Sequence, residues 1–208
     1  MPPDSSARVD EEHWIFAYGS LMWRPGFAFA ERAPARLLGL HRALCVYSFV
    51  HRGTPEKPGL VLGLDQGGAC RGIAYRVEKA SWPDTVQYLR AREQVTMVYR
   101  EAWRPVTLGS ETGRRVRALV YIVDRGHAQY AGRLDIEQQL HLVRQGHGHS
   151  GPNLDYVLAT VAEIEAQGFR DAQLHLLAQR LKGFHEAHPT HDPEKLTDSS
   201  GKAVRKHE

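Results

Sequence analysis

Two short stretches hold residue types that could act on one reaction. In "WPDTVQYLRARE" (Trp82–Glu93), the residues Trp82, Val86, Leu89 and Glu93 follow one another at spacings of four, three and four. At 3.6 residues per turn they share one helical face. Three are apolar and the last is a carboxylate, a side chain seldom buried without a partner. Arg90, Arg92 and Gln94 fall away from the centre of that stripe. Two readings stay open. Glu93 forms an ion pair at a helix end, with Arg90 or an arginine from elsewhere, or it serves as a general acid/base. The second reading has a physical basis. Loss of hydration on an apolar face raises a carboxyl pKa, and the negative end of the helix dipole pushes the same way. A glutamate tuned upward can exchange protons near neutral pH.

The other stretch is "FAYGSLMWRPGF" (Phe16–Phe27), where an apolar strand runs into Tyr18-Gly19-Ser20-Leu21 and an aromatic turn with Trp23, Arg24 and Pro25. A strand that ends in a glycine-containing turn presents successive backbone N–H groups, which can hold a carboxylate or a developing oxyanion. Gly19 would allow a positive φ and close approach of a ligand. A plain tight turn with Tyr18 in the core is the alternative.

These groups need a scaffold, and the composition supplies one. The 208 residues, 42% hydrophobic and 25% charged, are those of one ordinary globular domain. No apolar run approaches the ~20 residues that span a bilayer, and the polar start "MPPDSSARVDEEHW" lacks a signal-peptide core. Residues 1–12 and the polar tail 187–208 are expected to be disordered around a domain at 13–186. The formal charge of +3 and the lack of a basic block beyond "GRRVR" (Gly113–Arg117) argue against a nucleic-acid partner. Cys45 and Cys70, both in strand-like segments, read as buried free thiols of a cytoplasmic protein. Neither carries the surroundings of an activated nucleophile.

Periodicity places the elements. "HWIFAYG" reads as a short buried strand and "ARLLGLHRALCVYSF" (Ala35–Phe49) as an extended one bent near Gly39. "HRGTPEKPG" (His51–Gly59) is a loop. "LVLGLD", "QGG" and "ACRGIAYRV" read as strand, turn and strand, a hairpin. Glycines at 59, 63 and 72 fit a strongly curved sheet or small barrel. Ser81 is expected to cap the helix that ends at Glu93, with Asp84 completing a capping box and Pro83 in the first turn. Strands follow at Met97–Leu108 and Arg114–Asp124, joined by the polar turn "GSETG". Amphipathic helices then occupy roughly Leu134–Gln145, Asn153–Gln167 and Asp171–Glu186. About six strands come early and helices gather late, with no internal repeat. The class is α+β, not a regular βαβ alternation.

Five segments in this order resemble the ChaC-type γ-glutamylcyclotransferases: "WIFAYGSLMWRPGF", "HRGTPEKPGLVLGL", "GIAYRV", "YLRAREQVTMVYREAW" and "GHSGPNLDYVL". The spacing from Arg92-Glu93 to Tyr99 resembles the bacterial branch. The resemblance implies a small mixed β-barrel with packed helices. It also implies an intramolecular reaction that turns glutathione into 5-oxoproline and Cys-Gly, with no cofactor and no metal ligands. Glu93 is then the catalytic acid/base. Backbone N–H groups of Gly19, Ser20 and Leu21 would face the oxyanion. Tyr18 and the Ser20 hydroxyl would position the α-carboxylate. Tyr99 and Tyr156 would line the pocket or stand as core tyrosines. Arg52 would meet a substrate carboxylate or brace its loop.

Two departures stand out. Met97-Val98-Tyr99 replaces an expected glycine or cysteine before the tyrosine, and the late loop "GHGHSGPN" carries His147 and His149. Those histidines, with His141, lack the paired spacing of a structural zinc site. Two other functions share the scaffold: a cyclotransferase acting on other γ-glutamyl amines, and a non-catalytic binder of γ-glutamyl peptides. Oligomeric state is not legible in the sequence.

Overall fold

The computed structural model describes residues 12–94, 96–109 and 113–187. Most of the two ends expected to lack order, 1–11 and 188–208, lie outside the described residues, as do three residues of the "GSETG" turn. Strand β1 (His13–Ala17) is buried from Trp14 to Ala17. A strand covered on both faces needs such a continuous apolar run. Strands β2 (Glu31–Ser48) and β3 (Gly59–Val77) pair antiparallel along nearly their whole length, from Glu31↔Arg76 to Ser48↔Gly59. After helix α1 (Trp82–Glu93) come β4 (Tyr99–Leu108) and β5 (Arg115–Val123), antiparallel to each other. Parallel pairing of β1 with β5 closes a barrel of order β1-β3-β2-β4-β5.

The barrel has five strands, one fewer than the sequence suggests. "QGG" does not turn the chain; β3 runs straight through it. The register steps from Leu38↔Ala69 to Leu40↔Gln66, so Gly39 faces Gly67 and Gly68. All three have positive φ: 81°, 98° and 67°. This is a β-bulge, with two residues of β3 opposite one of β2. A tight hairpin asks for the same left-handed glycines, so the local sequence does not separate the two outcomes.

Ser81 does not cap α1. It already has helical angles (φ −92°, ψ −5°) because a 3-10 turn at Lys79–Ser81 precedes it, and its hydroxyl makes no capping bond. An N-cap needs an extended residue. Its carbonyl instead accepts the Thr85 hydroxyl at 2.8 Å. The expected inward stripe holds: Leu89 is buried, and Trp82, Val86 and Glu93 are half-buried.

The later helices are α2 (Ile136–Gln145), α3 (Asn153–Ala166) and α4 (Ala172–Ala187), with two-residue strands β6 (His147–Gly148) and β7 (Gly151–Pro152) between α2 and α3. A reciprocal capping box of Asp135 and Gln138 opens α2. Leu140, Val143, Val157, Ile164, Leu177 and Leu181 join the helices to the barrel in one core.

A polar residue anchors this layer. Asn153 is fully buried. Its Oδ1 accepts the Leu60 N–H at 2.6 Å and its Nδ2 donates to the Leu60 carbonyl at 2.8 Å. Asn153→Leu strands both backbone groups, and the expected cost is about 2–4 kcal/mol. Thermal unfolding should show a Tm lower by roughly 5–10 °C. An unchanged Tm would mean the pairing contributes nothing.

Candidate active site

The first half of β3 has one open edge, because β1 covers only Ile73–Val77. In an antiparallel ladder alternate residues turn both N–H and C=O to the same side. Leu60 and Leu62 therefore present all four groups to that open edge, and side chains take the place of a neighbouring strand. Asn153 pairs both groups of Leu60. The Tyr99 hydroxyl donates to the Leu62 carbonyl at 2.6 Å, and the Tyr156 oxygen accepts the Leu62 N–H at 3.2 Å. Beside this edge lies a cavity of about 270 Å³.

The turn after β1 forms one wall of it. Ser20–Met22 wind into a 3-10 turn, with Met22 N–H donating to the Gly19 carbonyl (2.9 Å) and Arg24 N–H to the Ser20 carbonyl (2.8 Å). N–H groups that open such a turn have no carbonyl ahead of them within it. The turn is held from outside as well. Buried Arg42 donates Nε to the Tyr18 carbonyl and Nη2 to the Arg71 carbonyl. The Tyr75 hydroxyl donates to the Met22 carbonyl at 2.7 Å. Gly19 does not use left-handed space: its φ is −130°. A Cβ there would meet Leu62 Cδ1 at 3.7 Å, an ordinary contact inside the wall that both residues form.

Glu93, at the last position of α1, faces the same cavity. Its side chain is 19% exposed, and the carboxylate contacts Arg92, Nε to Oε1 at 3.2 Å. Burial pushes its pKa above the usual range, and the Arg92 guanidinium pulls against that shift. Arg90 is engaged elsewhere, forking onto Glu101 at 2.7 and 2.9 Å. Ion pair and cavity carboxylate are thus both true of Glu93, with the neighbouring arginine as partner. The arrangement sets a partly dehydrated carboxylate in one cavity with the Gly19–Leu21 turn. That pairing suits proton transfer coupled to stabilisation of an oxyanion.

A family model described as ChaC-like protein matches residues 13–183. The chain belongs to the ChaC-like family. It is 34% identical over 169 residues to the glutathione-specific gamma-glutamylcyclotransferase of Escherichia coli (strain K12), over 81% of this chain and 72% of that one. It is 31% identical over 169 residues to glutathione-specific gamma-glutamylcyclotransferase 1 of Homo sapiens, over 79% of this chain and 75% of that one. A solved yeast gamma-glutamylcyclotransferase specific to glutathione superposes with a TM-score of 0.74 at 22% identity, covering 86% of this chain and 100% of that one. That likeness shows the fold.

Within this ChaC-like chain the sequence-predicted residues fall into two groups. Tyr18, Gly19, Ser20, Leu21, Glu93, Tyr99 and Tyr156 all line the cavity. Burial raises the Tyr18, Tyr99 and Tyr156 hydroxyls, so all three stay protonated near neutral pH. Arg52 stands behind the wall. Its Nη1 donates to the Ser150 and Pro152 carbonyls, and its guanidinium lies 5.4 Å from the centre of the Tyr156 ring. It braces the β6–β7 arm against the loop after β2. There Gly59 and Gly148 pack so closely that a Cβ would fall 2.0 Å from the Arg52 carbonyl oxygen and 2.4 Å from that of Val50.

Met97 is exposed and outside the cavity wall, at a φ of 60° that glycine would adopt freely. His147 and His149 lie exposed on or beside the β6–β7 pair. Among the described residues no group of three His, Cys, Asp or Glu is placed to hold a metal ion. His51, Val61, Leu62 and Arg92 line the cavity without having been singled out in the sequence. Val61 and Leu62 read as ordinary strand residues. Arg92 carried one usable signal: it lies four residues after Tyr88, whose hydroxyl accepts its Nη1 at 2.9 Å.

The raised pKa of Glu93 has a consequence for stability. In the unfolded chain it ionises near 4.5. Between that value and the higher folded one the native state binds more protons, so Glu93 lowers stability as pH rises through the window. Glu93→Gln should therefore raise Tm at pH 8, with the gain shrinking toward pH 4. A Tm loss at pH 8, or a gain of equal size at both pH values, contradicts the sign.

Proposed function

We propose that this chain is a γ-glutamylcyclotransferase that converts glutathione to 5-oxoproline and Cys-Gly. The observation that carries the reading is the placement of the dehydrated Glu93 carboxylate in one cavity with the Gly19–Leu21 turn. The glutathione-specific names of the Escherichia coli and human relatives support the choice of substrate. The setting is cytoplasmic, which suits the two buried free thiols Cys45 and Cys70.

Glu93 removes a proton from the substrate's α-ammonium group. The freed amine attacks the γ-carbonyl carbon, and a new C–N bond closes a five-membered ring. The carbonyl oxygen becomes an alkoxide, met by N–H groups of the Gly19–Leu21 turn. On collapse the bond to the cysteine nitrogen breaks and that nitrogen takes the proton from Glu93. Glu93 then takes the second proton of the attacking nitrogen, leaving the neutral lactam N–H, and passes it to the released amine, which departs as an ammonium. Atoms balance with no water consumed. Each preorganised donor at the oxyanion is worth ~10²–10³ in rate. The wall held by Arg42, Tyr75, Tyr99 and Tyr156 restricts the γ-glutamyl chain to a curled geometry, which lowers the barrier further.

The purified protein should release 5-oxoproline from glutathione with a chelator present. Glu93→Gln should reduce the rate by about 10²–10⁴. The acid limb of kcat/KM should lie above the usual carboxylate range. A pH-independent rate from roughly pH 5 to 9 removes Glu93 as acid/base. A wild type that is inert on glutathione yet cleaves ε-(γ-glutamyl)lysine moves the substrate to other γ-glutamyl amines. Glutathione binding by calorimetry without turnover makes the protein a binder.

A further inference from the structure

We propose that Arg92 is a positioning residue: one guanidinium locks the turn after β1 to the Glu93 carboxylate and so fixes the base relative to the turn's amides. This rests on the function proposed above and adds a role that function does not itself assign. Nε contacts Glu93 at 3.2 Å. Nη2 donates to the Ser20 hydroxyl at 2.8 Å. Nη1 donates to the Arg24 carbonyl and the Tyr88 hydroxyl, both at 2.9 Å. Its two Nη atoms thereby hydrogen-bond three groups and Nε pairs with a fourth, all in two elements of the site, α1 and the turn after β1.

The geometry is unusual for sequence neighbours. Residues i and i+1 on a helix do not face each other, so Arg92 reaches Glu93 only by folding back across the end of α1. Its three other partners hold it in that bend, and two of them belong to the turn after β1. A planar, rigid fork transmits this constraint; a lysine ammonium on a flexible stem would not. If the turn shifts, the fork and the carboxylate shift with it.

The groups around Glu93 sharpen the expectation. Tyr18 just after β1, Tyr99 of β4, Tyr121 of β5 and Tyr156 of α3 each feel its charge. All four hydroxyls are pushed upward by burial and stay neutral. His51 faces the cavity from the loop after β2. Arg92 is the cation in contact with the carboxylate. Without it the desolvation of Glu93 is no longer opposed.

Three variants decide the matter: Arg92→Gln, Arg92→Lys and, to identify the signal, Glu93→Gln. The first readout needs no turnover. In protein labelled with ¹³C at glutamate carboxyls, the Glu93 titration midpoint should move upward in Arg92→Gln and stay near wild type in Arg92→Lys. The second readout is kinetic, on glutathione. The acid limb of kcat/KM should move upward with the midpoint in Arg92→Gln. Plateau kcat should fall about tenfold or more in both Arg92 variants, since a small misplacement of a reacting group can cost ~10², while KM changes little.

An unchanged or lowered midpoint in Arg92→Gln overturns the proposal. So does a large rise in KM with kcat retained, which would make Arg92 a direct substrate contact, or a loss of Tm alone with kcat and midpoint intact. If Arg92→Gln does not fold, Arg92→Lys decides: full kcat in that variant overturns the role of the fork, and a tenfold loss supports it. A wild type that releases no 5-oxoproline sinks the proposed function, and the titration midpoint still decides the Arg92 proposal.

Discussion

The acid/base role proposed for Glu93 asks for a carboxyl dry enough to hold its proton above the usual range and still stable where it sits. Those demands oppose each other. Desolvation raises the carboxyl pKa and favours the neutral acid, while a facing guanidinium favours the anion. Arg92 sets the balance from the adjacent position, and the net shift stays upward. A fully paired carboxylate would be a poor base, and an unpaired one would remain protonated. The remainder of the fold keeps these two side chains and the turn after β1 in one constellation.

The barrel does this through β3. Its second half is an ordinary sheet strand between β1 and β2, but its first half lacks a neighbour on one side. An open edge inside a fold requires partners for its N–H and C=O groups. Asn153, Tyr99 and Tyr156 supply them at Leu60 and Leu62, and the tyrosine rings double as cavity wall. The site is therefore built where the sheet is incomplete. Satisfying the strand edge and shaping the pocket are one act, carried by the same side chains. Arg52 extends this scaffold outward by tying the β6–β7 arm to Tyr156.

Much of this was legible in the sequence because it obeys local periodicity. A carboxylate closing the stripe of Trp82, Val86 and Leu89 marked Glu93, and a strand breaking into Tyr18-Gly19-Ser20-Leu21 marked the turn. Other features escaped because opposite structures ask for the same residues. Left-handed glycines serve a hairpin turn and a β-bulge equally, so the pattern at Gly67 and Gly68 suits a turn and suggests six strands. Ser81 has the right side chain for a cap, and only the 3-10 turn before it removes the extended backbone a cap needs. Arg92 lay off the inward stripe. Its role arises from folding back across the helix end, driven by contacts on Ser20 and Arg24 some seventy residues earlier, and no period encodes that.

The same geometry divides the cavity by function. Under the proposed function, a γ-glutamyl head between Glu93 and the turn after β1 would leave the departing amine facing Val61, Tyr156 and His51. The first wall is held by strands, buried arginine and the α1 end, so it has little freedom to vary. The second belongs partly to the loop after β2, which is fastened to the β6–β7 arm through His51 Nδ1 and Ser150 Oγ at 3.2 Å and through Arg52. Met97, the departure nearest Glu93 in sequence, is exposed and lines neither wall. Under the proposed function, discrimination among leaving groups then falls to the loop and arm, and rate at the γ-carbonyl to the barrel.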